Sequence, residues 1–224
     1  MFKKCVMSIL FFIAITLSTF GDTPRFLINN SHTNSISAIE YSELSNTLVT
    51  AGNDGKLKVW GLPDGKLEYQ LQASYTQIRK MAISQSGSYA AIISSDGINV
   101  VELSVWNWKT GKKLFSKRLK EVPLFITFSP KGTFLVYGKT DWNSLVFLNA
   151  KTGSKRYPIR EGFGIVSSAF ISNSEKTLLT YNSSGSIQYW DLKNGKRKTK
   201  IPTTPDLKNI SFTSSGRYMT GYDG

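Results

Sequence analysis

A lysine-rich turn recurs along this chain about every 42 residues: WGLPDGK at 60–66, WNWKTGK at 106–112, LNAKTGS at 148–154 and WDLKNGK at 190–196. Its glycines, Gly65, Gly111, Gly153 and Gly195, are 46, 42 and 42 residues apart. A second ladder runs in phase: Ser42, Ser84, Ser129, Ser172 and Thr213, each ending a stretch of alternating apolar and polar residues. Two unrelated markers with one period restrict the chain to folds built from equivalent units set side by side.

Each unit reads as four short strands. The first has strands at 37–42, 47–51, 56–60 and 66–72, joined by the tight-turn signals Asn53-Asp54-Gly55 and Pro63-Asp64-Gly65. The second has strands at 78–84, 89–94, 99–106 and 112–119. Gly97 and Trp106 are nine residues apart, against five between Gly55 and Trp60, so a longer hairpin or a bulge is expected there. The third has 124–129, 133–137, 144–148 and 155–159, and the fourth 168–172, 177–181, 186–190 and 196–201. A fifth begins with 208–213 and 217–220. No helical stripe of useful length follows the first 21 residues. Four-stranded units at this period predict an all-β fold, a propeller of antiparallel blades. The blades are expected near 32–72, 73–120, 121–164 and 165–204, with a partial one at 205–224.

The N-terminus reads differently. Lys3 and Lys4 precede an apolar run from Cys5 to Leu17, followed by small residues up to Gly21. This is the pattern of a secretory signal over residues 1–21, with an uncleaved anchor as its rival. The run is shorter than the roughly 20 residues a spanning helix needs. Export to a periplasm or cell surface is the expectation. Cys5 is the only cysteine, so the remainder can form neither a disulfide nor a thiolate metal site. Net charge is +13, and removing Lys3 and Lys4 leaves +11, an excess that favours acidic partners or anionic surfaces.

From residue 24 onward the chain resembles the WD-repeat β-propellers. The first repeat carries the likeness best: His32, then Thr50-Ala51-Gly52-Asn53-Asp54-Gly55 and Lys56-Leu57-Lys58-Val59-Trp60. The resemblance implies that His32, Thr50, Asp54 and Trp60 form a hydrogen-bonded network bracing the first blade. The fourth repeat keeps the dipeptide Trp190-Asp191, the third has Leu148-Asn149 instead, and no later repeat has the histidine. Arg25–Asn29 reads as an outer strand completing a last blade. Family rings of about seven blades imply that these repeats are the N-terminal part of a larger propeller. A four- or five-bladed ring, or completion by another chain, are the alternatives.

Catalytic signals are thin. His32 is the only histidine and no G-x-S-x-G motif occurs. Gly138-Lys139-Thr140 ends a near miss to a phosphate loop, but the residues before it form a strand. The acidic residues are scattered through turns and suggest neither a hydrolytic pair nor a calcium loop. The KTGK turn also resembles quinoprotein propellers, yet Tyr69, Phe115, Tyr157 and Thr199 stand where those carry tryptophan. The expected function is therefore a non-catalytic interaction scaffold, a monomer without cofactors that binds protein partners. A propeller enzyme, a hydrolase or quinone-dependent oxidoreductase, is the competing class.

Half of the 28 basic residues cluster on the fourth strands: Lys112, Lys113, Lys117, Arg118 and Lys120; Lys151, Lys155, Arg156 and Arg160; Lys193, Lys196, Arg197, Lys198 and Lys200. On an outer strand such charge blocks edge-to-edge pairing. The same residues, Lys117, Arg118, Lys155, Arg156, Lys196, Arg197 and Lys198 foremost, are candidates to touch an anionic surface. Nucleic acid is a poor match for an exported protein.

Overall fold

The serine ladder closes hairpins. Ser84 Oγ accepts the Tyr89 N–H at 3.1 Å, Ser129 Oγ the Phe134 N–H at 3.2 Å and Ser172 Oγ the Thr177 N–H at 3.1 Å. Each serine thus ties the end of one strand to the start of the next, satisfying backbone donors that the turn would leave bare. The computed structural model describes residues 30–141, 145–156, 164–203, 205, 207–212 and 218–222. The apolar run 5–17, the expected strand 25–29, Tyr157, Arg160, Thr213 and Arg217 lie outside the described residues, as does most of the strand expected at 155–159.

The architecture is all-β, with a strand order that repeats. The first sheet is β1 (Ile36–Ser42), β2 (Thr47–Gly52), β3 (Lys56–Gly61) and β4 (Leu67–Gln72). The second is β5 (Gln77–Ile83), β6 (Tyr89–Ser95), β7 (Val101–Asn107) and β8 (Lys112–Leu119). The third has β9 (Phe125–Phe128), β10 (Phe134–Gly138) and β11 (Leu145–Asn149), with one further bridge between Leu148 and Lys155. The fourth is β12 (Val166–Ile171), β13 (Thr177–Asn182), β14 (Ser186–Asp191) and β15 (Arg197–Pro202). A last pair is β16 (Lys208–Phe212) and β17 (Met219–Tyr222). Every described pairing is antiparallel between chain neighbours. The first strands of successive sheets lie beside one another, β1 by β5, β5 by β9, β9 by β12 and β12 by β16, which leaves the fourth strands outermost.

The long second hairpin differs from its expected boundary. Strand β7 begins at Val101 rather than 99, because the Asp96 carboxylate accepts the N–H groups of Ile98, Asn99 and Val100 at 2.9 Å each and folds them into the turn. Gly55 closes the corresponding turn of the first sheet at φ +73°, and a Cβ there would lie 2.0 Å from the Ser74 carbonyl oxygen. Gly55→Ala should cost about 1–3 kcal/mol from the left-handed backbone alone, with the steric clash added. Urea denaturation of the variant checks this, and an unchanged midpoint would show that the turn adopts another conformation.

Packing follows one rule. Position by position, Leu48 faces Trp60, Ala90 faces Trp106, Leu135 faces Leu148 and Leu178 faces Trp190 across the second and third strands. The sheet face bearing these residues turns toward the preceding sheet. Trp106, Ile78 and Ile92 pack with Val49, Leu57 and Val59 of the first sheet. Leu148, Leu135 and Tyr137 pack with Ala91, Leu103 and Val105 of the second. Trp190 and Leu178 pack with Phe134, Val136 and Phe147 of the third. Middle strands are therefore buried on both faces, as in a stack of sheets. The equivalent face of the first sheet has no preceding sheet among the described residues: Ile39 and Tyr41 are 59% and 53% exposed, whereas Met81, matching Ile39, is 5% exposed.

Glu175 joins two blades. It takes φ +56° at the turn where the second and third blades place Gly87 and Gly132. Its carboxylate accepts the Lys131 N–H at 3.0 Å and the Thr133 hydroxyl at 2.9 Å, bonds that offset the unfavourable backbone.

Candidate interaction surface

The four residues singled out in the first repeat meet in the first blade. Trp60 Nε1 donates to Thr50 Oγ1 at 2.9 Å, Thr50 Oγ1 is 2.8 Å from His32 Nε2, and His32 Nδ1 is 3.0 Å from Asp54 Oδ1. A neutral imidazole with its proton on Nδ1 satisfies every link: His32 donates to Asp54, Thr50 to His32 and Trp60 to Thr50. The His32 and Asp54 side chains are only 2% and 5% exposed. Burial works to raise the Asp54 carboxyl, but hydrogen bonds from His32 and from the N–H groups of Lys56 and Thr33 outweigh it and hold the group below its ordinary value. Both ring nitrogens of the only histidine are thus engaged inside the sheet.

The other blades keep parts of this brace. Trp190 Nε1 donates to Thr180 Oγ1 at 3.0 Å, the counterpart of the Trp60–Thr50 bond. In the second blade Ile92 replaces the threonine, and Trp106 Nε1 turns to Ser104 Oγ at 2.9 Å on its own strand. In the third blade both partners are replaced: Leu148 stands at the tryptophan position and Tyr137 at the threonine position.

Lys58 was not signalled by the sequence. It is 2% exposed, and its amine donates to the Ser31 carbonyl at 2.7 Å. Burial lowers its pKa, and neighbouring Lys56 adds to that shift. An alternating strand suggests that such a lysine faces water. Lys58 shares the face of Trp60, which no described sheet covers, but the chain at Ser31 and His32 lies over it there, so alternation alone misplaces it.

The basic residues separate into distinct settings. Lys117, Arg118 and Lys155 come together on the wall of a cavity of about 430 Å³ at the seam of the second and third blades, with Lys120 and Lys139 beside them. Arg156, the next residue after Lys155, turns to the opposite side, its guanidinium 5.2 Å from the Phe134 ring. Arg197 lies 6.0 Å from the Trp190 ring and Lys198 is 3.3 Å from the Asp191 carboxylate on the outer strand β15, whose six residues, Lys196 beside them, are all exposed. Exposed pairs such as Lys198–Asp191 add little stability. Inside the cavity the two acids are already engaged, Asp141 by Lys139 and Glu121 by the N–H and hydroxyl of Thr140. Lys117, Lys120 and Lys155 have no ion pair among the described residues.

Comparison with known proteins agrees with this architecture. A family model described as an N-terminal beta-propeller domain matches residues 16–224. An uncharacterized protein of Treponema pallidum (strain Nichols) is 27% identical over 176 residues, covering 79% of this chain and 28% of that protein. The periodic tryptophan protein 2 homolog of Caenorhabditis elegans is 21% identical over 184 residues, 81% of this chain and 20% of its own length. The cross-pathway control WD-repeat protein 2 of Flammulina velutipes is 29% identical over 120 residues, 53% of this chain and 37% of its own. The chain thus spans between 20% and 37% of the length of these curated relatives. It is a distant relative of WD-repeat proteins. With its successive antiparallel sheets, their shared strand order and a model match over most of its length, the chain belongs to the family TP_0598_N, an N-terminal beta-propeller domain.

Proposed function

We propose that this protein is an exported, non-catalytic propeller that serves as an interaction scaffold for an acidic protein partner. The observation that carries the reading is the convergence at one blade seam of Lys117, Lys120 and Lys155, which have no ion pair among the described residues. The engagement of both His32 nitrogens inside the sheet supports it, since the side chain best suited to proton transfer near neutral pH is occupied structurally. Export follows from the basic and apolar pattern of the first 21 residues.

Affinity capture from an envelope fraction tests this reading, with the purified protein on a resin and salt as the variable. One stoichiometric protein should be retained at 50 mM salt, and its affinity should fall at least ten-fold by 500 mM, because exposed charges are screened over a few ångströms at that ionic strength. Retention insensitive to salt would contradict an electrostatic interface. A second reading, contact with an anionic envelope surface, is favoured by the exposed basic strand β15. It predicts salt-sensitive sedimentation with anionic vesicles and no stoichiometric protein.

A further inference from the structure

The geometry points to the seam cavity between the second and third blades as a docking site for a ring-bearing side chain flanked by carboxylates on a partner protein. This rests on the scaffold reading and adds its site and chemistry. Three blades fill the equivalent position with an indole, Trp60, Trp106 or Trp190, whose N–H is satisfied by a hydroxyl of the same sheet. The third blade places Leu148 there, a shorter side chain without a ring. The cavity of about 430 Å³ lies over this position and is lined by Leu148, Val146 and Tyr137 from the third blade. Its volume falls in the range of small-ligand pockets.

Tyr137 supplies an independent observation. It occupies the place that Thr50 and Thr180 hold in their blades, but no tryptophan donates to it. The residue is only 6% exposed, and its hydroxyl has no hydrogen-bond partner among the described residues. That hydroxyl opens into the cavity, so a ligand seated there can take its hydrogen bond. Burial raises the phenol's pKa, which keeps it an O–H donor suited to a carboxylate. Lys117 and Lys120 from the second blade and Lys155 from the third stand around the opening without ion pairs among the described residues. A ring would therefore take the space of the missing indole. Its flanking acids would meet Tyr137 and the lysines, the arrangement of an apolar anchor inside a charged rim.

The test uses fluorescein-labelled pentapeptides and the purified protein, read by fluorescence anisotropy. The parent peptide has one phenylalanine with two acidic residues on each side. It should bind, and replacing its phenylalanine by alanine, or its acids by their amides, should each weaken binding at least ten-fold. The protein variant Tyr137→Thr with Leu148→Trp rebuilds the threonine–tryptophan pair of the first and fourth blades and fills the cavity. It should fold, with an unchanged or higher melting temperature, and lose at least ten-fold in affinity. Should that variant fail to fold, the surface pair Lys117→Glu with Lys155→Glu should give the same loss. Equal binding of the alanine peptide would overturn the proposal by showing adhesion through charge alone. Equal binding by the filled or charge-reversed variants, or no binding of the parent peptide, would also overturn it. A partner captured salt-sensitively by both the wild type and the filled variant would remove this site while leaving the scaffold reading intact.

Discussion

Trp190→Ala should destabilise the protein by about 3–5 kcal/mol, the usual cost of deleting a fully buried large aromatic side chain. Trp190 is 0% exposed and packs at the seam of the third and fourth blades among Phe134, Val136 and Phe147. Its removal leaves a cavity where two sheet faces meet and strips Thr180 of its donor. The side chain holds two blades together, so the loss should weaken the whole array rather than one hairpin. For a chain of this size the melting temperature should fall by roughly 6–20 °C. The effect should be graded. Trp106, 8% exposed at the preceding seam, should follow, and half-buried Trp60, whose face no described sheet covers, should cost least. Calorimetry on the three alanine variants checks the order. Equal losses would show that the first blade's face is covered as fully as the others.

The second large effect concerns the brace. Asp54→Ala removes the acceptor for His32 Nδ1 and for the N–H groups of Thr33 and Lys56. Hydrogen bonds to a charged group are worth about 1.5–3 kcal/mol, and a loss of about 2–3 kcal/mol is expected at pH 7. The pH dependence has a definite sign. The folded-state pKa of Asp54 lies below its ordinary value, so its contribution is fully present above the unfolded pKa of about 3.9 and disappears as pH falls through the folded value. Wild-type stability should therefore decline below about pH 4 more steeply than that of Asp54→Ala. Urea denaturation from pH 7 to 3 measures the difference. Parallel profiles would show that Asp54 titrates alike in the folded and unfolded chain.

Much of the fold was legible because its signals are local. The turn glycines, the closing serines and the strand alternation each act within ten residues, and together they gave the four-stranded unit before any long-range contact was known. The first-blade brace was legible through resemblance, since His32 and Trp60 are far apart in the chain and nothing in their spacing alone joins them. The hairpin at Asp96 was expected to be longer, but the carboxylate that organises it was not recognised. Lys58 was missed because alternation assumes one wet face, and β3 has none at that position. The seam cavity was illegible for another reason. Leu148-Asn149 was visible as a departure from the repeat, yet a departure becomes a cavity only when β8 and the third sheet are placed against each other. Similarly, the sequence grouped Lys155 with Arg156, while the sheet sends them to opposite sides.

A crystal structure of the protein with side chains resolved tests the central claim most directly, because that claim is geometric. The account predicts that one repeated rotation carries each sheet onto the next, superposing Trp60, Trp106, Leu148 and Trp190, with an open cavity over Leu148. Sheets unrelated by a common rotation, or a Leu148 position filled by another side chain of the chain, would contradict it.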